Sequence, residues 1–256
     1  MSGEPSGDDP ALLAHRVAHS ARTPLLVGLD IDGVLSPIVD HAPDARLLPG
    51  MLDDVVALSE CTPVAVVSGR NLESIDELFA FPDHVIVVGT HGAQRRGRLT
   101  EFAGAEAERL SQFTELVERA AQRAGEGAWV EHKSLSVALH TRRAAPGRSA
   151  EATAWLAHAF EQFDGGMLKS GQGVVELMAR PASKAAAVVE LRHELGAKTA
   201  LFVGDDATDE EVFASFGPDD WPVRVGPGPT VARHRLADPV AVQHFLRHLT
   251  DRLQHI

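Results

Sequence analysis

The chain has 256 residues, 44% of them hydrophobic and 23% charged. Those proportions exclude wholesale disorder, and the length favours a core with an inserted smaller domain over one unit. The formal net charge of -12 argues against nucleic acid or an anionic membrane as partner, because like charges repel. A single cysteine, Cys61, allows no intrachain disulfide and fits a reducing compartment. No apolar run is long enough to span a membrane, and the polar start MSGEPSGDDP lacks the regions of a signal peptide. The expectation is a cytoplasmic protein whose residues 1–20 form a flexible or helical tail.

In chain order, PLLVGLD (24–30) is a short apolar run ending in an acid, as in a buried strand. Met51, Leu52, Val55, Val56 and Ser59 then recur at helical spacing. PVAVVSG (63–69) reads as a second strand, Leu72, Ile75 and Leu78–Phe79 as a helix, and HVIVVG (84–89) as a third strand. Strand alternating with helix implies a parallel sheet with right-handed crossovers. The texture changes after Gly92. Leu110, Phe113, Leu116 and Val117 form one helix face, and Leu135, Val137 and Leu139 alternate with Ser136, Ala138 and His140, the mark of a half-exposed antiparallel strand. Trp155, Leu156, Ala159, Phe160 and Phe163 predict a further helix, and MLKSGQGVVELMA (167–179) a hairpin turning at Ser-Gly-Gln-Gly. The parallel pattern resumes with a helix from Ser183 to Leu195, the strand TALFVGD (199–205), a short helix from Asp209 to Phe216, the strand PVRVG (222–226) and a C-terminal helix carrying Val242, Phe245, Leu246, Leu249 and Leu253. The expected organisation is a core over residues 1–92 and 181–256 with an α+β cap inserted at 93–180.

Open parallel sheets bind ligands at the carboxyl ends of their strands. Polar residues cluster at such ends here: Asp30, Asp32 and Gly33; Ser68, Gly69 and Arg70; and Asp205, Asp206, Thr208 and Asp209, with Lys184 at the start of a helix. Each group has a plain structural reading. Asp-Gly makes turns, Ser caps helices, and Thr208 with Glu211 reads as a capping box. Those readings do not explain two acids directly after an apolar strand, nor a cation in a first helical turn, where it opposes the helix dipole.

The order and placement of these groups resemble the haloacid dehalogenase superfamily, in which DxDG, a Ser or Thr after the second strand, a Lys and GDxxxD follow one another along a Rossmann-like parallel core. The finer match is to the trehalose-6-phosphate phosphatase family, through DIDGVLSPIV, VAVVSGR, GTHGA, VEHKSLSVALHTR, VVELMARPASK, FVGDDATDEEVF and VRVGPGPTVARHRL. Three positions depart from its pattern. Gln94 stands where Glu is usual, which bears on sugar recognition by the cap; Val34 stands for Thr and Ala185 for Gly, which leave the chemistry untouched.

The resemblance implies a Mg²⁺-dependent phosphatase acting on a sugar phosphate, trehalose 6-phosphate first, through a phospho-aspartate. Asp30 would be the nucleophile, Asp32 the acid and base, and Ser68 and Lys184 the holders of the phosphoryl group. Mg²⁺ would lie on Asp30, the Asp32 carbonyl and Asp205, with Asp206 and Asp209 as further candidates. Gly33, Arg70, His91, Glu131, Lys133, Arg142 and Glu176 would contact substrate. The chain is expected to act as a monomer, with a trehalose-phosphate synthase as functional partner. Another sugar phosphate, such as a mannosyl or glucosyl phosphoglycerate, is an alternative substrate, and a silent sugar-phosphate-binding module an alternative function. GPGPT (226–230) reads as a turn before a helix, because Pro227 and Pro229 lack the N–H groups a phosphate loop needs. His244 and His248 read as a solvated helix face.

Overall fold

The computed structural model describes residues 7–39, 41–98, 104–171 and 173–255. The chain divides into two compact units, one of Met1–Arg98 with Ser183–Ile256 and one of Leu99–Ala182. In chain order, the first unit contributes α1 (Pro10–Ser20), β1 (Leu25–Leu29), α2 (Met51–Ser59), β2 (Val64–Val67), α3 (Leu72–Phe79), β3 (Ile86–Gly89) and β4 (Gln94–Arg95). The second holds α4 (Gly104–Ala124), β5 (Trp129–His132), β6 (Ser136–His140), α5 (Pro146–Phe160), β7 (Met167–Gly171) and β8 (Val174–Met178). The first unit then closes with α6 (Lys184–Glu194), β9 (Thr199–Gly204), α7 (Ala207–Ser215), β10 (Trp221–Val225), β11 (His234–Leu236) and α8 (Pro239–Leu253).

In the first unit the strands lie in the order β11-β10-β9-β1-β2-β3-β4, all parallel except the β3–β4 pair. Strands β1, β2 and β9 are buried along their whole length, which is why they read as unbroken apolar runs. Leu25, Val27 and Leu29 face one layer, with Leu13, Met51, Ile75 and Phe245 from α1, α2, α3 and α8. Leu26 faces the other, with Val188 of α6 and Phe213 of α7. From β1 the chain runs to β2 on one side and later to β9 on the other. This switch of direction opens a crevice at the carboxyl end of β1.

The second unit is an antiparallel sheet, β5-β6-β8-β7, with α4 and α5 on one face. Phe113, Val117 and Leu156 of the helices pack on Val137, Leu139, Val175 and Leu177. The Phe113 ring meets those of Phe160 and Phe163 at centroid distances of 5.5 and 5.3 Å.

Several local readings need correction. The VEHKSLSVALHT segment is a hairpin rather than one strand, closed where the Lys133 amide donates to the Ser136 carbonyl at 2.9 Å. Ser136 and Ala138 are buried too, because β6 is an interior strand and these side chains are small. Residues 93–98 belong to the first unit, where β4 pairs with β3, and residues 181–182 to the second. GPGPT leads into β11 and not into a helix, and the backbone of Asp8 bonds to Arg235 along that edge. Residues 10–20 of the expected tail are helical and bury Leu13, Ala14, Val17 and Ala18. The first six residues, and Gln172 in the hairpin turn, lie outside the described residues.

Candidate active site

Asp30 directly follows β1 and Asp205 directly follows β9. The register pairs Leu29 with Val203, so the two acids emerge side by side. Lys184 opens α6, where Ser183 caps the helix, and is fully buried. Its Nζ lies 2.8 Å from Asp30 Oδ2 and 2.8 Å from Asp209 Oδ1. The anion that Lys184 requires is therefore a pair of buried carboxylates. Burial alone would push Lys184 toward the neutral amine, but Asp30, Asp209 and Asp206 outweigh it and hold its pKa above the usual lysine value.

The carboxylates outnumber that single ammonium. Burial raises Asp30 well above the usual range, with Lys184 opposing and Asp209 adding to the rise. Burial likewise raises Asp209. Asp209 is the most constrained: Oδ1 accepts from Lys184, while Oδ2 accepts the amides of Asp205 and Asp206 at 2.8 and 3.1 Å. Burial, then Asp209 and Asp206, lift Asp205 to about 7, and Asp205 makes no ion pair among the described residues.

One oxygen from each of Asp30, Asp205 and Asp209 lies within 4.8 Å of the other two. Crowded carboxylates form a set of hard oxygen donors with no nitrogen or sulfur, which suits an alkaline-earth ion better than zinc. Gly33, at φ +79°, makes room for this: a Cβ there would lie 2.1 Å from Asp205 Oδ2. Protons compete with metal for Asp205. Metal affinity, followed by titration calorimetry, is expected to weaken at least about tenfold per pH unit below the Asp205 value of about 7, since Asp30 is raised as well. Affinity constant between pH 5.5 and 8 would contradict this.

Asp206 does not join the cluster. It caps α7, with Oδ1 accepting the amides of Thr208 and Asp209 at 2.8 and 3.0 Å and the Thr208 hydroxyl at 2.7 Å. Burial raises its pKa, but Lys184 and these hydrogen bonds outweigh it and hold Asp206 low. The capping box is thus Asp206 with Asp209, two residues earlier than Thr208 with Glu211.

Asp32 is gripped by Arg70. Nε and Nη2 each donate to one of its carboxylate oxygens at 2.7 Å, a planar two-pronged pair. Arg70 also donates to the Ala42 carbonyl at 2.9 Å. Ser68 is buried immediately after β2. Over it sits a strained turn: Thr90, His91 and Gly92 take successive φ values of +50, +53 and +107°. Such conformations cost of order 1–3 kcal/mol each for non-glycine residues and persist only where the surroundings impose them. The turn packs His91 on Gly69, where a Cβ would come within 2.6 Å of the ring.

In the second unit, Glu131, Ala138, Glu176 and Lys169 form one row across the sheet. Lys133 Nζ reaches Glu176 at 3.2 Å and Glu131 at 3.9 Å, and Glu131 hydrogen-bonds His140 at 2.8 Å. That bond, ahead of Lys133, keeps Glu131 below the usual carboxylate range. Arg142 is exposed and lies two residues beyond the end of β6. Lys169 and His140 carry no signal of their own in the sequence; the β7–β8 register sets Lys169 opposite Glu176, and a side-chain hydrogen bond joins His140 to Glu131.

The family model described as trehalose-phosphatase matches residues 28–240. The trehalose-6-phosphate phosphatase of Escherichia coli is 33% identical over 237 residues, covering 88% of this chain and 86% of that protein. The trehalose-phosphate phosphatase of Mycobacterium tuberculosis is 33% identical over 254 residues and 91% of this chain, which spans 62% of that protein's length. The C-terminal domain of C. albicans trehalose-6-phosphate phosphatase superposes with a TM-score of 0.77 at 21% identity, over 98% of this chain and 99% of that one. The C-terminal domain of a Candida albicans trehalose synthase regulatory protein shares the fold too, with a TM-score of 0.72 at 14% identity over 95% of this chain and 99% of that one. The α/β fold is that of the haloacid dehalogenase type, and the chain belongs to the trehalose-phosphatase family.

Proposed function

We propose that the chain hydrolyses trehalose 6-phosphate to trehalose and phosphate through a phospho-aspartate on Asp30. The observation that carries this reading is the buried Lys184 bridging Asp30 and Asp209 beside Asp205, whose carboxylate lies within reach of theirs. A phosphate monoester dianion approaching a carboxylate meets a repulsion of roughly 4 kcal/mol per unit charge at about 4 Å and an effective dielectric of about 20. Lys184 offsets part of it. Mg²⁺, held by the Asp30 and Asp205 carboxylates and the Asp32 carbonyl, would supply further charge neutralisation at the phosphoryl oxygens.

Asp30 attacks phosphorus, the bond to the sugar oxygen breaks, and Asp32 gives that oxygen a proton. Asp32 then takes a proton from water, which attacks the phosphoryl group, frees phosphate and restores Asp30. Ser68 donates to a phosphoryl oxygen. Arg70 orients Asp32 by both carboxylate oxygens, and His91 borders the same loop. Asp209 anchors Lys184, and Asp206 holds the start of α7. The inserted unit would act as the cap that reads the sugar, through Glu131, Lys133 and Glu176, with Arg142 at the sheet's margin. The cytoplasm, a monomer, and a synthase supplying the phosphorylated disaccharide complete this reading.

A regulatory domain shares the fold, so the fold does not decide between enzyme and silent module; the complete set of acids and lysine favours the enzyme. Gln94, the residue that points to another sugar phosphate, lies in the core unit, and the panel of sugar phosphates decides between the substrates. The test is phosphate release from trehalose 6-phosphate with Mg²⁺, against EDTA and a panel of sugar phosphates. Release from trehalose 6-phosphate that EDTA abolishes is expected. Release from a different member would replace the substrate, and release from none would leave a binding module.

A further inference from the structure

Gln94 departs from the family's usual Glu, and its surroundings give it a role. It lies on β4 in the core unit, 6% exposed. Its Oε1 accepts the Thr90 hydroxyl at 2.6 Å and the Leu72 amide at 3.2 Å. The Leu72 amide is one of the first donors of α3, which the helix itself cannot satisfy. Thr90 is the first residue of the strained turn and, being β-branched, tolerates its positive φ poorly. The same two segments are joined by their backbones: Thr90 donates to the Arg70 carbonyl at 2.7 Å and His91 to the Ser68 carbonyl at 2.9 Å. One amide oxygen thus ties the turn that carries His91 to the loop that carries Ser68 and Arg70.

We propose that Gln94 is a positioning residue for phosphoryl transfer: its side-chain oxygen clamps the Thr90–His91 turn onto the 68–72 loop and so fixes Ser68 and the Arg70–Asp32 pair. The role needs an acceptor only, which Gln and Glu both supply. The difference from the family is then neutral for the sugar. The proposal rests on the phosphatase reading for the roles of Ser68 and Asp32, but the clamp has a test of its own.

The test uses the full-length protein with Mg²⁺ and inorganic vanadate, which probes the phosphoryl subsite without a sugar. Gln94→Leu is expected to lower kcat for trehalose 6-phosphate by roughly 10- to 100-fold, since small misplacements of reacting groups cost that much. It should raise the vanadate inhibition constant by about the same 10- to 100-fold while inhibition by free trehalose is unmoved. Gln94→Glu should rescue both. Thr90→Val, which removes the hydroxyl donor and leaves the Leu72 amide, should shift kcat and vanadate inhibition in the same direction and serves in place of the Leu variant if that variant fails to fold by circular dichroism. An effect confined to KM and to trehalose inhibition would make Gln94 a sugar contact and overturn the proposal. So would unchanged turnover and vanadate binding. If the unaltered protein hydrolyses nothing, vanadate binding read by thermal shift still decides on the clamp, and the phosphatase reading alone has failed.

Discussion

Lys184→Met will remove turnover and a large part of the stability together. The substitution keeps the length of the side chain and deletes the ammonium that both Asp30 and Asp209 contact at 2.8 Å. Breaking a buried ion pair from one side costs about 3–5 kcal/mol, because the remaining charge has neither partner nor water. For a chain of this size that lowers the melting midpoint by roughly 10 °C. The pH dependence has a definite sign. The folded-state pKa of Lys184 is raised, so its contribution is fully present below the ordinary 10.5 and is lost only as the pH rises through the higher folded value. Throughout the neutral range the unaltered protein keeps its ammonium. The variant's buried acids instead take up protons as the pH falls, so its deficit is larger at pH 8 than at pH 5. Urea unfolding at the two pH values measures this. Equal stability of variant and parent at pH 8 would mean that Lys184 does not hold the cluster. Phosphate release should fall roughly 10³-fold, the scale of losing a preorganised charge at the transferring group.

What the sequence made legible divides along physical lines. Strands β1, β2, β3 and β9 announce themselves, since a parallel strand covered on both faces reads as a nearly unbroken apolar run. Helix α8 is equally plain from Val242, Phe245, Leu246 and Leu249. The two-residue β4 and three-residue β11 leave no such trace, because an edge strand that short has no period to read. At the candidate site, the residue types and their strand-end positions pick out Asp30, Lys184, Asp205 and Asp209, which fold into one cluster. Which oxygen meets which donor is not legible. Asp206 and Asp205 are neighbours of identical type, and only the backbone turn into α7 sends one to the helix cap and leaves the other at the crevice. Arg70 finds Asp32 across 38 positions, a choice made by tertiary packing. Gln94 reads as a departure in the cap until the pairing of β3 with β4 places it in the core.

Asp30→Asn will abolish turnover and at the same time stabilise the metal-free protein. The nucleophile is lost, so phosphate release should drop by roughly 10³-fold or more. Stability moves the other way because Asp30 is one of three crowded acids sharing a single ammonium, and its pKa is raised well above the ordinary 3.8, chiefly by burial. A carboxyl with a raised folded-state pKa favours folding while protonated, and that contribution disappears as the pH rises through the folded value. As the pH rises the unaltered protein takes on a buried charge that the neutral amide never carries, so the variant gains relative to its parent, while Lys184 keeps Asp209 as partner. In acid both side chains are neutral and the difference closes. Adding Mg²⁺ should reverse the order, since the parent retains the carboxylate that would bind the ion and the variant does not. Melting curves of both proteins at pH 5 and pH 8, each with and without Mg²⁺, test every part of this. A variant less stable than its parent in metal-free buffer at pH 8 would show that Asp30 is held for folding, and that the crowding of these acids is not the strain the site stores for catalysis.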